Sequence, residues 1–370
     1  MTDITFFPIG NADTTRIRLA SGQRILIDFA GMPPNGDGIE FDVEDEIRAD
    51  LRRAGRDKIE VVCITHLDRD HCHRFDEVFH LEHSTSHQGP GRLKIGELWV
   101  PSMAITETGL ETEAAKRVQK EARHRLKDGK GIRVFSAPKA LDSWLRSQKI
   151  DPATRGHIIH HAGTSIPRFW LFDDGVEFFL HSPLSWKQDQ DGEAVERNSA
   201  SVVMHAEFLV GRGRTKMFLG ADVDSDDLSA IVDTTHRKGN HQRLDWDILK
   251  LFHHCSYKAL NKDDRGGSET VPVLLVKKLM EEHGQEGSII VSPSKKIPEA
   301  LSKEGDQPPH RQAANYYRRV QKACNGQFRV TMDTPKRPLT IDVTEQGWRF
   351  VSVLAAPAAQ PAVARPQRAG

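Results

Sequence analysis

The chain has 370 residues, 38% hydrophobic and 28% charged, enough for one large core or two smaller ones. Lysine plus arginine and aspartate plus glutamate balance at 52 each, so no global charge points to nucleic acid or a membrane, and any basic site must be local. No apolar run approaches the roughly 18 residues of a membrane span, and "MTDITFFPIG" lacks the basic start and long apolar stretch of a signal peptide.

The chain opens with "ITFFPIG", then "TRIRLA", a "SGQ" turn and "RILIDFAG", whose alternation predicts a β-hairpin. After the turn-rich "PPNGDG", the stretch "EDEIRADLRRAG" predicts an amphipathic helix closed by Gly55. "KIEVVCIT" predicts a buried strand, and "IGELWVPS" another after a loop. Residues 111–127 predict a helix whose second half carries Lys116, Arg117, Lys120, Arg123, Arg125 and Lys127 against Glu121 alone. That face reads either as a phosphate-contacting track, with Arg117, Lys120 and Arg123 as candidate substrate-binding residues, or as a solvated helix surface. Strands follow at "VEFFLHSP", "SVVMHAEFLV", "RTKMFLGADVD", "LDWDILKLFHHCS", "GSIIVSP" and "PLTIDV", with helices around 224–235 and at "QAANYYRRVQKAC". Cys63, Cys72, Cys255 and Cys324 lie far apart with no C-x-x-C pair, which suits reduced thiols in a cytoplasmic setting. The Ala/Pro-rich segment 355–370 can bury little and is expected to be disordered, leaving 1–354 as one domain.

Three of these apolar strands stop on ligand-type residues. "KIEVVCIT" runs into "HLDRDH", with His66, Asp68, Asp70 and His71; "FLGADVD" ends on Asp222; "ILKLFHHCS" ends on His253 and His254. Titratable groups in such number are costly to bury unless a positive charge sits among them. Imidazole and carboxylate together bind zinc, manganese or iron. The count suits two divalent ions, with Asp222 as the carboxylate between them, and paired ions activate water for attack on phosphorus or carbonyl centres. One of His253 and His254 is expected to ligate, the other to bind substrate or pack beneath the site. Asp68 and Asp70 can also act as helix N-caps. Asp28 is expected to hold loops by hydrogen bonds, and Cys72 and His73 to stand behind the ligands or be inert.

With these motifs the sequence resembles the metallo-β-lactamase-fold hydrolases, and within them is most similar to the hydrolase domain of ComEC-type competence proteins. Thr65, His66, Asp68, Asp70 and His71 match the T-H-x-D-x-D-H motif, and Leu249, Lys250, His253, His254 and Ser256 match L-K-x-x-H-H-G-S. "IGNAD", Asp28 with Gly31, Asn198 with Ser201, and Gly220 with Asp222 approach the family's other motifs in order. Cys255 stands where the family has Gly, Cys72 and His73 where it has an apolar residue and Gly, and Asn11 where Gln is common. The segment 102–165 is longer than the family needs and reads as a helical insertion. The resemblance implies an α/β fold, an αββα sandwich of two mixed sheets with outer helices and metals at one edge. It also implies His181 as a further metal ligand, Asn198, Ser201 and Ser256 as substrate contacts, and His310 as a late catalytic histidine. Asp68, where many relatives use histidine, lets manganese compete with zinc. The expected activity is a phosphodiesterase or nuclease acting on nucleic acid or a nucleotide, with no membrane partner. Asp70 or Asp222 would orient the water, and His254 or His310 would protonate the leaving group. The alternatives are hydrolysis of a small phosphoester or lactone, or a non-catalytic module.

Overall fold

The structure, a computed structural model, describes residues 1–34, 38–189 and 197–351. The Ala/Pro-rich segment expected to be disordered lies outside them.

The chain starts with the antiparallel strands β1 (Thr2–Phe6), β2 (Thr15–Arg18) and β3 (Arg24–Ile27). Helix α1 (Val43–Arg53) follows, started by the Asp42 carboxylate accepting from the Asp45 N–H. It crosses to β4 (Lys58–Cys63), parallel to β3. The short helices α2 (Arg69–Cys72) and α3 (Phe75–Val78) lead to β5 (Lys94–Pro101). Then come α4 (Met103–Thr106), α5 (Glu113–Asp128), β6 (Ile132–Phe135), α6 (Lys139–Ser147) and the two-residue β7 (Ile159–His160). The segment expected to be a helical insertion therefore also extends the sheet, because "IRVF" pairs in parallel beside β5. The second half supplies β8 (Thr164–Ser165), α7 (Leu171–Asp174), β9 (Val176–Ser182), α8 (Ser185–Gln188), β10 (Val203–Val210) and β11 (Gly213–Leu219). It continues with α9 (Ser225–Arg237), β12 (Trp246–Lys250), α10 (Leu274–Glu281), β13 (Gly284–Ser292), α11 (Arg311–Ala323) and β14 (Gln327–Val330). β15 (Leu339–Thr344) and β16 (Gly347–Phe350) return to the first sheet beside β1.

Two mixed sheets result, ordered β16-β15-β1-β2-β3-β4-β5-β6-β7 and β14-β13-β12-β11-β10-β9-β8. Alternation along each strand sorts the core into layers. Ile25, Ile27, Val61, Cys63 and Trp99 of the first sheet face Phe178, Leu180, Met204, Met217 and Ile248 of the second. Trp99 meets Phe178 edge-on across this gap, ring centroids 5.7 Å apart; such a pair adds about 0.5–1.5 kcal/mol beyond its buried area. On the outer face of the first sheet, Leu26, Val62, Leu98 and Val134 pack under α1 and α5 through Ile47, Leu51, Val118 and Ala122. On the outer face of the second, Phe218, Leu249 and Ile290 pack under α9, α10 and α11. This is the αββα sandwich. Strands β3, β4, β11, β12 and β13 run parallel within their sheets, and the residues after their carboxyl ends meet at one edge. No helix among the described residues is long and apolar enough to cross a membrane.

Candidate metal centre

Asp28, just past β3, adopts φ 57° and turns its carboxylate inward. It accepts from the Thr65 N–H at 2.7 Å, the Thr65 hydroxyl at 2.8 Å and His71 Nδ1 at 2.9 Å. The loop after β3 is laced to α2 by Phe29 N–H to the His71 carbonyl, 3.0 Å, and Gly31 N–H to that of His73, 2.9 Å. Asp28 thus fixes the His71 ring and sends its Nε2 the other way, toward Asp222 Oδ1 at 3.4 Å. The loop-holding role expected for Asp28 is the one it has.

Asp222 comes from the end of β11. The Gly220 N–H bonds the Lys250 carbonyl at 3.1 Å, and a Cβ at Gly220 would stand only 2.4 Å from that oxygen. Glycine is what permits this close approach, which brings the following Asp222 into the cluster. From the end of β12, His254 donates Nδ1–H to the Pro293 carbonyl at 2.8 Å. Its Nε2 then lies 3.1 Å from Asp70 Oδ2 and 3.4 Å from Asp222 Oδ2. One donor atom each from Asp70, His71, Asp222 and His254 falls within 4.8 Å of all the others. Of the two rings between which the sequence left the choice open, His254 enters the cluster. His253 stands at its rim, a quarter exposed, Nε2 4.0 Å from Asp222 Oδ2. Residues 253–255 all adopt positive φ, 45°, 51° and 65°, so the turn that splits the two rings is a strained one.

The electrostatics follow from these contacts. Burial works to raise the Asp222 carboxyl, but the His254 and His71 rings hold it well below the usual carboxylate range. Burial works against charge on His254 as well, yet Asp222 and Asp70 hold its pKa up at about 10. Asp28, Asp222 and Asp70 likewise overcome burial and keep His71 well above the usual value. Positive charge is thus drawn into a nest of carboxylates. The imidazoles fit a divalent cation: the Nε2 atoms of His66 and His71 are buried without a hydrogen-bond partner, and oriented imidazole with carboxylate is a donor set for zinc, manganese or iron. His66 Nε2 faces Asp68 Oδ2 at 3.6 Å, so the residues present fit a cation there too.

Behind the cluster lies a buried pair. Lys250, fully enclosed, donates to the Gly220 carbonyl at 2.6 Å and pairs with Asp13. Asp13 N–H in turn donates to the Asp70 carbonyl at 2.9 Å. Beside the cluster opens a cleft of about 310 Å³ lined by Asn198, Ser199, His253, Lys258 and Lys262 together with the four carboxylates of Asp222, Asp224, Asp227 and Asp263.

Several expected site residues stand elsewhere. His181 is not placed to ligate. It lies on the outer face of β9, stacked on Phe218, with its ring nitrogens 3.2 Å from Thr235 Oγ1 and 3.0 Å from the Arg243 carbonyl. His310 stands directly before α11 with no side-chain bond to it: Nε2–H donates to the Asp306 carbonyl at 3.0 Å, and Nδ1 accepts from the Tyr257 N–H at 3.3 Å. Both nitrogens are engaged with backbone, so it has no free atom for proton transfer. His254 Nε2 is turned into the cluster, against Asp70 and Asp222. Ser256 is buried and accepts from the Lys258 N–H at 3.2 Å, shaping the turn that carries Lys258. Ser201 is buried behind the site, its N–H on the Asn198 carbonyl at 3.0 Å, while Asn198 itself reaches the cleft. The basic face of α5 is largely engaged within the fold. Arg117 lies 3.8 Å from Glu113, and Arg123 donates to the Ile105 carbonyl at 2.8 Å and covers the Trp144 ring. Lys120 is exposed, and none of the three is among the cleft's lining residues. Sequence reasoning missed Arg197, which pairs with Asp68, and Lys258 and Lys262; the one signal for Arg197 was its place directly before Asn198.

No family model matches the sequence, and no curated protein matches it. Among solved structures, the chain is similar to Tm1679, described as a metal-dependent hydrolase of the β-lactamase superfamily, at 11% identity over 93% of this chain and 100% of that one, TM-score 0.36. It is also similar to a diphosphatase from the PhnP family, at 12% identity over 78% and 86%, TM-score 0.31. A third is the metallo-β-lactamase GOB-18 from Elizabethkingia meningoseptica, at 13% identity over 87% and 89%, TM-score 0.31. Likeness of this size carries no weight for activity, which has to come from the site.

Proposed function

We propose that the chain is a metal-dependent hydrolase that cuts a phosphodiester. The observation that carries this reading is the convergence of Asp70, His71, Asp222 and His254, with the unpartnered His66 Nε2 close by, beside a cleft bearing Lys258 and Lys262. Divalent cations held there, zinc or manganese, would supply Lewis acidity and an acidified water. The chain's own residues do the rest. Asp28 keeps the His71 ring in one orientation, and the Pro293 carbonyl does the same for His254. Lys258 and Asn198 stand at the cleft wall, Lys262 pairs with Asp226, and Asp222, Asp224, Asp227 and Asp263 also line the cleft, so bound divalent cations would be needed to offset these carboxylates before an anionic group enters. Burial lowers the pKa of His253, so this ring at the rim is suited to take a proton from the attacking water, and the leaving oxygen takes its proton from solvent. A cleft of about 310 Å³ suits a nucleotide-sized diester, and a long polymer track along α5 loses support because Arg123 is engaged within the fold and neither Arg117 nor Arg123 lines the cleft. The test is incubation with bis-p-nitrophenyl phosphate, a cyclic dinucleotide, single-stranded DNA, RNA and duplex DNA, each with zinc or manganese. Turnover of the small diesters with added metal is expected. Hydrolysis of a lactone or thioester, with no phosphodiester cleaved, would end this reading.

A further inference from the structure

Asp68 turns its two oxygens to different neighbours. Oδ2 faces His66 Nε2 at 3.6 Å, and Oδ1 pairs with the guanidinium of Arg197. Asp68 is the residue at which α2 begins, yet its side chain makes no capping bond to the helix, so the helix does not fix its rotamer. Arg197 is itself held: its Nε and Nη2 both donate to Glu107 Oε1, at 2.8 and 2.5 Å. The Glu107 carbonyl accepts from Gln119 Nε2 of α5 at 2.9 Å. A continuous chain of contacts thus runs from the helix layer through Glu107 and Arg197 to Asp68, and across to the buried, unpartnered Nε2 of His66.

We infer that Arg197, aimed by Glu107, is a positioning residue that holds Asp68 so that one carboxylate oxygen is presented with His66 to a second divalent cation, apart from the four-donor cluster. The inference rests on the metal-site reading above. Two effects of Arg197 oppose each other. Its charge repels a nearby cation, so by Coulomb's law alone its removal would tighten binding. Its hold on Asp68 spares that side chain's rotamer entropy when the cation binds, so removal would weaken binding. With two contributing residues rather than four, the His66–Asp68 position depends most on that hold.

The experiment is calorimetric titration of the full, chelator-stripped chain with manganese chloride. The native chain is expected to take up manganese in two phases, the tighter one at Asp70, His71, Asp222 and His254. Arg197→Met is expected to weaken the second phase roughly 10- to 100-fold, the range typical of residues that orient ligands, and to leave the first unchanged. Glu107→Gln is expected to weaken the same phase by a smaller factor. An unchanged first phase in each variant also shows that the fold is intact. A second phase that tightens or stays put in Arg197→Met would overturn the positioning role, and so would a native chain that binds a single ion. A native chain that binds none overturns instead the metal-site reading on which the inference stands.

Discussion

At the scale of single residues, the site rests on a few charges that water does not reach, each tied down by a named partner. Lys250 and Asp13 are both enclosed, at 0% and 2% side-chain exposure. Removing one member of such a pair strands the other, which typically costs about 3–5 kcal/mol. Lys250→Met is therefore expected to lower stability by about that amount, read as the urea midpoint in chelator. Lys250→Met combined with Asp13→Asn should recover much of the loss, since no lone carboxylate remains. Asp28 works differently. Its three accepted hydrogen bonds orient His71 without entering the four-donor cluster. In Asp28→Asn an amide replaces one oxygen, and the His71 ring loses its anchor. Metal affinity, measured against a chromogenic chelator, should fall about 10- to 100-fold. An unchanged affinity would show that packing alone holds the ring.

At the scale of elements, α5 shows how charge in a sequence differs from charge at a surface. Its basic half reads as a track, yet Arg125 is buried against Glu121 at 2.7 Å and donates to the Gly131 carbonyl at 2.9 Å, Arg123 is spent within the fold, and Arg117 lies 3.8 Å from Glu113 at the surface. Reversing Arg117 and Lys120 to glutamate is accordingly expected to leave turnover of a small diester, and its salt dependence, within about two-fold of the native chain. A steep loss on single-stranded DNA alone would restore the track. The same distinction sets what was legible in the sequence. Strand ends at His66, Asp222 and His254 could be read because a long apolar run that stops on titratable groups is rare and needs a reason. The helices capped by Asp42 and Thr112 carried their own start signals. Short "IRVF" and the two-residue β7 gave no period to read and became strands only by pairing beside β5. His181 was misjudged although its parity was available: Phe178 and Leu180 point to the space between sheets, so His181 must point outward, under α9. Arg197 left only its place before Asn198 as a signal, because a loop residue that reaches 129 positions along the chain to Asp68 has no local pattern.

At the scale of the whole molecule, the two-sheet sandwich encloses groups that pay for burial by staying neutral, and this sets its acid limit. Burial depresses His181 from 6.5 to about 4, and burial pushes His205 well below its ordinary value. The unfolded chain takes up protons at these positions near pH 6.5 and the fold does not. Stability is therefore fully present above that pH and is lost as pH falls toward 4. For His181 the loss is on the order of 3 kcal/mol. His181→Asn should flatten the urea-midpoint slope between pH 4 and 6.5 by up to one proton; an unchanged slope would place the acid sensitivity elsewhere. Metal bound at the cluster on the sheet edge would couple to the whole fold in the opposite sense. Its donors come from the ends of β4, β11 and β12, so a cation that binds them ties both sheets together, and it binds only when they are assembled. Binding to the folded state alone stabilises by about 4 kcal/mol at a thousand-fold excess over Kd. For a chain of this size that is several degrees in Tm, roughly 2 °C or more per kcal/mol. Adding manganese or zinc to stripped protein should raise Tm by that much, and a chelator should reverse it. Asp70→Ala combined with His71→Ala removes two of the four donors from the cluster's rim and floor, so it should abolish turnover and the metal-induced shift together. The metal-free variant should still unfold in one cooperative transition, since α2 is a single turn and the apolar layers on both sheets are untouched. If that variant gained the same several degrees from metal, the stabilising cation would be bound outside this cluster, and the hydrolase reading would lose its centre.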